Sequence, residues 1–191
     1  VSGLTRLRFV LLILGAGLVP AAARCEPAQT YQRLSRDGDY EVRAYPARLV
    51  AEVEETGERD DATSRGYQEL LTYIRTDKTV TFIAPVTRIE TSLGWKVQFN
   101  LPADRSPASL PVPATPEVRL RSLPAQTFVA VSFSGTADMR RIEPQLHRAV
   151  QYALTHGMVL NGPPQIAFFN APTSLWMLKH TEVLIPIDPP P

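Results

Sequence analysis

The sequence predicts a single α+β domain in which one unit, a bent strand, a helix and two strands, occurs twice. Three observations predict it. Short matches recur in the same order: Glu41-Val42-Arg43 and Glu117-Val118-Arg119, Pro46-Ala47 and Pro124-Ala125, Leu49-Val50-Ala51 and Phe128-Val129-Ala130, Gly57 and Gly135. Each set is followed by one amphipathic helical stripe, and each stripe by two strand-like runs. Residues 102–116 hold five of the 18 prolines and read as a connector between the copies. Neither copy could cover its own apolar helix and sheet faces, so the two halves are expected to share one core.

The chain begins differently from how it continues. Arg6 and Arg8 precede an apolar run from Phe9 to Val19, and Ala21-Ala22-Ala23 supplies small residues for a signal peptidase, so residues 1–23 read as a secretory signal peptide. Val1 fits a bacterial gene starting at GTG, and equally a chain trimmed at its start. Cleavage after Ala23 removes two of the 20 basic residues and none of the 19 acids, leaving 18 against 19 and a net charge of −1. No basic patch then points to nucleic acid or to an anionic membrane, and the expected location is periplasmic or secreted. Cys25 is the only cysteine, so no internal disulfide is available. Arg24 before it departs from the small residue that lipoprotein processing prefers, and lipid anchoring is not expected. No second apolar run is long enough to span a bilayer.

Residues 24–37 read as a polar lead-in, and the domain as residues 38–187, with halves at about 38–101 and 117–187. Tyr40 to Tyr45 and Arg48 to Glu54 are two strand pieces around Pro46. In the second, Leu49, Ala51 and Val53 alternate with Glu52 and Glu54, as in a half-buried strand. Asp60 and Asp61 offer cap and first-turn acids for the first helix. Its stripe is Tyr67, Leu70, Leu71 and Ile74, at i, i+3, i+4 and i+7. After the polar turn Arg75-Thr76-Asp77-Lys78 a strand is expected from Val80, running past Pro85 to Thr91. It forms a hairpin with Trp95 to Leu101 across Leu93-Gly94. The second helix presents Ile142, Leu146, Ala149, Val150, Ala153 and Leu154, with Pro144 in its first turn and Gly157 at its end. Gln165 to Phe169 and Trp176 to Ile187 are the last strands.

The stretch Tyr67 to Glu90 puts an apolar wall, two cations and a strand close together, which suits a flat apolar ligand carrying acidic groups; the ordinary alternative is helix-on-sheet packing with a solvated turn. Ile74 would serve as wall, Arg75 and Lys78 as partners for the acidic groups, and Phe82 as a stacking surface. The three histidines, His147, His156 and His180, show no metal-site spacing. There is no C-x-x-C-H for covalent haem attachment, no nucleophile elbow around Ser132 or Ser134, and no phosphate loop. Glu182 on a strand could be a buried acid of raised pKa, but its ordinary role is a strand-edge acid paired to Lys or Arg, and that is the reading taken.

Several motifs resemble one family. Tyr40-Glu41-Val42-Arg43-Ala44-Tyr45 resembles the Y-E-[VI]-R-x-Y opening of the SOUL haem-binding proteins. Ala84-Pro85-Val86 is similar to the end of its M-T-x-P-V motif. Phe169-Asn170-Ala171-Pro172 and Lys179-His180-Thr181-Glu182-Val183 resemble its closing Y-N-P-P and R-R-N-E-V. The resemblance covers about residues 38–187 and implies a distorted β-barrel of two β-α-β-β repeats, a fold related to the ligand-binding domains of drug-sensing regulators. It also implies non-covalent binding of haem or another tetrapyrrole in an apolar groove beside the first helix, lined by Ser64, Tyr67 and Leu71, with Leu175 and Trp176 from the loop before the last strand. Ala44 stands where some members carry a candidate iron-ligating histidine, which leaves His180, His147 and His156 as the candidates. The expected function is a tetrapyrrole carrier, buffer or scavenger without catalysis. The alternatives are a small-molecule enzyme using Glu182 or a groove tyrosine, or a module whose groove takes another hydrophobic ligand or a partner's side chains.

Overall fold

The computed structural model describes residues 30–77, 80–135, 138–169 and 180–190. The expected signal peptide, Cys25, Lys78, Leu175 and Trp176 lie outside the described residues. Apart from β1 and a 3-10 turn, the elements follow the predicted order: β1 Gln32–Asp37, β2 Tyr40–Tyr45, β3 Arg48–Glu55, α1 Arg59–Thr76, β4 Ile83–Glu90, β5 Trp95–Asn100, the 3-10 turn at Pro107–Ser109, β6 Arg119–Leu123, β7 Gln126–Ser134, α2 Met139–Thr155, β8 Gln165–Phe168 and β9 His180–Ile187. The strands form one antiparallel sheet, curled into a half-barrel, in the order β1-β2-β7-β9-β8-β4-β5-β3-β6. The halves therefore exchange strands. β2, from the first repeat, pairs with β7 of the second, and β6, from the second, pairs with β3 of the first.

Both helices lie on one face of this sheet. Val86, packed under α1, is the cross-strand partner of Phe168, packed under α2, and directly opposed residues project to the same side. Under α1 sit Leu49, Ala51 and Val53 of β3 with Val97 and Phe99 of β5, as the β3 alternation predicts; under α2 sit Val129, Val131, Val183 and Ile185. The expected single core is instead two clusters, one beneath each helix. A third, small cluster of Tyr45, Phe128, Ala130, Ala167 and Leu184 lies on the opposite face of the sheet. A continuous sheet can carry two helices side by side without merging what lies beneath them.

Capping explains where the helices start. Glu58 caps α1, its carboxylate accepting from Asp60 N at 3.1 Å, while Asp60 and Asp61 occupy the first turn and Arg75 the last, as the helix dipole favours. Gly66 brings α1 close to the sheet: a Cβ there would lie 3.0 Å from both Val53 Cγ1 and Val97 Cγ2. Gly57 and Gly135, matched in the sequence, both turn strand into helix at φ of 100° and 102°, a region open to glycine.

Five details differ from expectation. Residues 32–37 of the lead-in form β1, an exposed edge strand paired with β2; its lack of apolar alternation hides it in the sequence. Val80 closes a turn, its N–H donating to Asp77 O at 3.0 Å, and β4 begins at Ile83. Pro144 lies beyond the first turn of α2, because the side chain of Asp138 caps the helix and Met139 is already helical. Leu154 is 52% exposed, because it points about 120° around the helix from Ile142. Phe128 does not correspond to Leu49: it faces away from α2, whereas Val129 faces it, so the structural match is one residue further on. In a strand a one-residue slip exchanges the two faces.

Candidate ligand-binding site

Helical spacing puts Ser64, Tyr67, Leu71 and Ile74 along one side of α1. Ser64 is exposed; Tyr67, Leu71 and Ile74 are half-buried and pack against the cluster beneath the helix, together with Phe82. Tyr67 meets buried Phe99 edge-on at 5.3 Å between centroids, and Phe82 tilts onto the same ring at 4.4 Å. Arg75 is exposed at the end of the stripe. Burial pushes the Tyr67 phenol up, and the Arg75 charge pulls it partly back. Five predicted residues, Tyr67, Leu71, Ile74, Arg75 and Phe82, therefore belong to one surface.

The histidines lie elsewhere. His147 is exposed on α2, and His156, also exposed, is its C-cap, with Nδ1 2.8 Å from Tyr152 O and its ring packed on the Tyr152 ring at 4.1 Å. His180 opens β9, with Nε2 3.1 Å from Glu182 Oε1 and its ring edge-on to Phe169 at 4.8 Å. No histidine sits on the elements that carry the α1 stripe. Among the described residues no group of three or more His, Cys, Asp or Glu could hold a metal.

Glu182 is paired as expected, but its strand is central, between β7 and β8. Arg43 donates to it twice, Nη1 to Oε2 at 2.6 Å and Nη2 to Oε1 at 3.1 Å, and Ser132 Oγ donates to Oε1 at 2.7 Å. Arg43 Nε also donates to Glu41 Oε2 at 2.7 Å, and its guanidinium lies 4.3 Å from the Tyr31 ring centroid. Burial alone would raise the Glu182 pKa; the hydrogen bonds from His180 and Arg43, the Arg43 charge and Ser132 outweigh it and hold the carboxyl at about 2. Burial would likewise lower Arg43, but Glu182 drives it well above its ordinary value. Strand exchange creates this pair: β2 and β9 both flank β7, which brings together two side chains 139 residues apart in the chain. These are the arginine of the Y-E-V-R stretch and the acid of the closing stretch.

A family model described as SOUL heme-binding protein matches residues 26–186. This chain belongs to the SOUL heme-binding protein family. The Arg43–Glu182 pair thus joins the first and last SOUL-like motifs. No curated protein matches the chain. Among solved structures, the C-terminal domain of EcmrR is 15% identical, with 83% of this chain and 98% of that one covered and a TM-score of 0.57. A hydrolase from Listeria innocua is 14% identical, with 81% and 94% covered and a TM-score of 0.57. EcmrR in an EcmrR–DNA complex is 14% identical, with 83% and 57% covered and a TM-score of 0.58. At these identities the likeness shows the fold alone.

Two further arginines are not singled out by the sequence. Arg88 is buried between the Trp95 and Phe168 rings, 5.5 Å from each centroid, and burial followed by the nearby Arg59 charge pushes it down to about 10 despite Asp60 at 3.8 Å. Arg48 is half-buried on the sheet face away from the helices. Neither stands out by pattern: Arg88 lies between Thr87 and Ile89, and Arg48 opens a strand that also carries Glu52, Glu54 and Glu55.

Proposed function

We propose that this SOUL protein binds haem or a related tetrapyrrole non-covalently across the α1 surface, as a carrier, buffer or scavenger. One observation carries the reading: Tyr67, Leu71, Ile74 and Phe82 leave apolar area half-covered on a single surface that ends in an exposed cation, Arg75. A planar macrocycle would cover that area, with burial contributing about 25 cal/mol per Å² of apolar surface. Its acidic side chains would be directed toward Arg75 and, in this reading, Lys78. Binding rests on area and charge, and iron ligation by a protein side chain forms no part of it. We read the protein as a binder and not an enzyme: Glu182, the one acid considered for acid–base work, is held ionised by Arg43, and its oxygens are engaged by Arg43 and Ser132. The N-terminal leader pattern supports a periplasmic or secreted location, and no described helix is long and apolar enough to cross a membrane.

The test is a visible-spectrum titration with ferric haem and, in parallel, iron-free protoporphyrin. Saturation of both at one equivalent is expected, with a loss of at least tenfold for Leu71→Asp, which places a charge under the macrocycle. No saturable binding of either ligand, or equal affinity in Leu71→Asp, overturns the proposal. A sharp Soret shift with haem and no binding of the porphyrin would replace burial with axial ligation.

A further inference from the structure

A cavity of about 350 Å³ opens between the start of β3, the chain just after β5, and β6. It shares no residue with the α1 surface. Leu49, Ile83, Leu101 and Leu123 supply apolar wall, and two cations, Arg48 and Arg105, line it. No Asp or Glu is among the described residues that line it. Its volume lies at the lower end of the range of small-molecule sites, about 300–1,000 Å³, so it suits a ligand smaller than a tetrapyrrole.

Arg48 is the unusual member. Its Nη2 donates to the neutral Gln126 Oε1 at 2.8 Å, and its guanidinium lies 5.9 Å from the Phe128 ring centroid. Nη1 is buried without a hydrogen-bond partner among the described residues. Among those residues no carboxylate pairs with Arg48, and burial pushes its pKa below the ordinary arginine value. A half-buried cation with an idle donor destabilises a fold unless something supplies the missing charge. Surface arginines avoid this by reaching water, but Arg48 is held in place by Gln126 and Phe128 at the cavity wall. A guanidinium is also the side chain best matched to a carboxylate, which it binds through two parallel hydrogen bonds.

We propose that this cavity is a binding site for a small organic monocarboxylate with an apolar body, its carboxylate held by Arg48 with Arg105 adding charge, and its hydrocarbon part against Leu49, Leu101 and Leu123. The cavity has no lining residue in common with the Tyr67, Leu71, Ile74, Arg75 and Phe82 surface, so a tetrapyrrole there would not occlude it.

The test titrates the protein with sodium octanoate and, separately, with octan-1-ol, followed by backbone amide NMR and calorimetry. One equivalent of octanoate should bind saturably, shifting the amides of Ala47, Leu49 and Ser122, with octanol at least tenfold weaker. Arg48→Gln should lower octanoate affinity at least tenfold, while Arg48→Lys retains part of it. The comparison of octanoate with octanol in the unaltered protein decides the matter even where a variant folds poorly. The proposal is overturned by any of three results: no saturable octanoate binding, octanol binding as tightly as octanoate, or shifts confined to α1 residues such as Tyr67 and Leu71. Equal affinity in a folded Arg48→Gln protein overturns it as well.

Discussion

Arg43 and Arg48 are five positions apart, on either side of the bend at Pro46, and both project from the sheet face that the helices do not cover. Their surroundings are opposite. Arg43 meets two carboxylates, Glu182 and Glu41, and its charge is fully answered inside the protein. Arg48 meets one neutral amide and the rim of a cavity. The difference comes from which strand lies alongside. β2 runs next to β7, so Arg43 reaches across to Glu182 on β9; β3 runs between β5 and β6, which offer Arg48 no acid. The same residue type is thus a structural tie in one place and a cation left for a ligand in the other. Placement on the same sheet face does not by itself tell these roles apart; the charge balance around the side chain does.

The largest expected effect tests the first half of that contrast. Arg43→Met leaves Glu182 buried without its cation and should cost roughly 3–5 kcal/mol in urea unfolding, whereas Arg43→Met with Glu182→Leu should recover much of it. Arg48→Met removes a cation with no partner acid among the described residues and should change stability by less than about 1 kcal/mol, in either direction. Equal losses at the two sites would break the comparison.

The pH dependence sharpens it. The Glu182 pKa falls on folding from 4.5 to about 2, so its contribution to stability is fully present above pH 4.5 and is lost as pH falls toward 2. That contribution should be on the order of 3 kcal/mol. Unfolding free energies measured from pH 6 to pH 2 should show this drop, and Glu182→Gln should flatten it. A wild-type curve that is level across this window would mean that the pair is not stabilising the fold.

The smallest effect concerns Arg75, an exposed cation on the α1 surface. Exposed ion pairs contribute about 0.2–1 kcal/mol, so Arg75→Glu should weaken haem binding only a few-fold and more at low salt. A loss of a hundredfold or more would show that charge, and not covered apolar area, dominates that surface.

Much of the α1 surface is legible in the sequence because helical spacing is a local property: Tyr67, Leu71 and Ile74 must share a side once the segment is helical. Phe82 follows because it leads into the next strand. What escapes is anything set by cross-strand neighbours. The sequence shows Phe99 only as one residue in an alternating strand, yet it is the ring on which both Tyr67 and Phe82 rest. The repeat aligns Phe128 one residue out of register, because a repeat seen as letters carries no information on which face a side chain takes. β1 is invisible to periodicity, since six exposed residues have no alternation to read.

Apart from β1, the order of elements, the two helices and the doubled unit are determined by sequence alone, because periodicity and capping act over a few residues. The exchange of β2 and β6 between halves was decided only by the tertiary structure. That exchange makes Arg43 and Glu182 partners, leaves Arg48 without an acid among the described residues and forms a cavity beside it. Strand pairing is a contest among distant segments of similar local propensity, and the winner is set by which arrangement buries both helix faces at once.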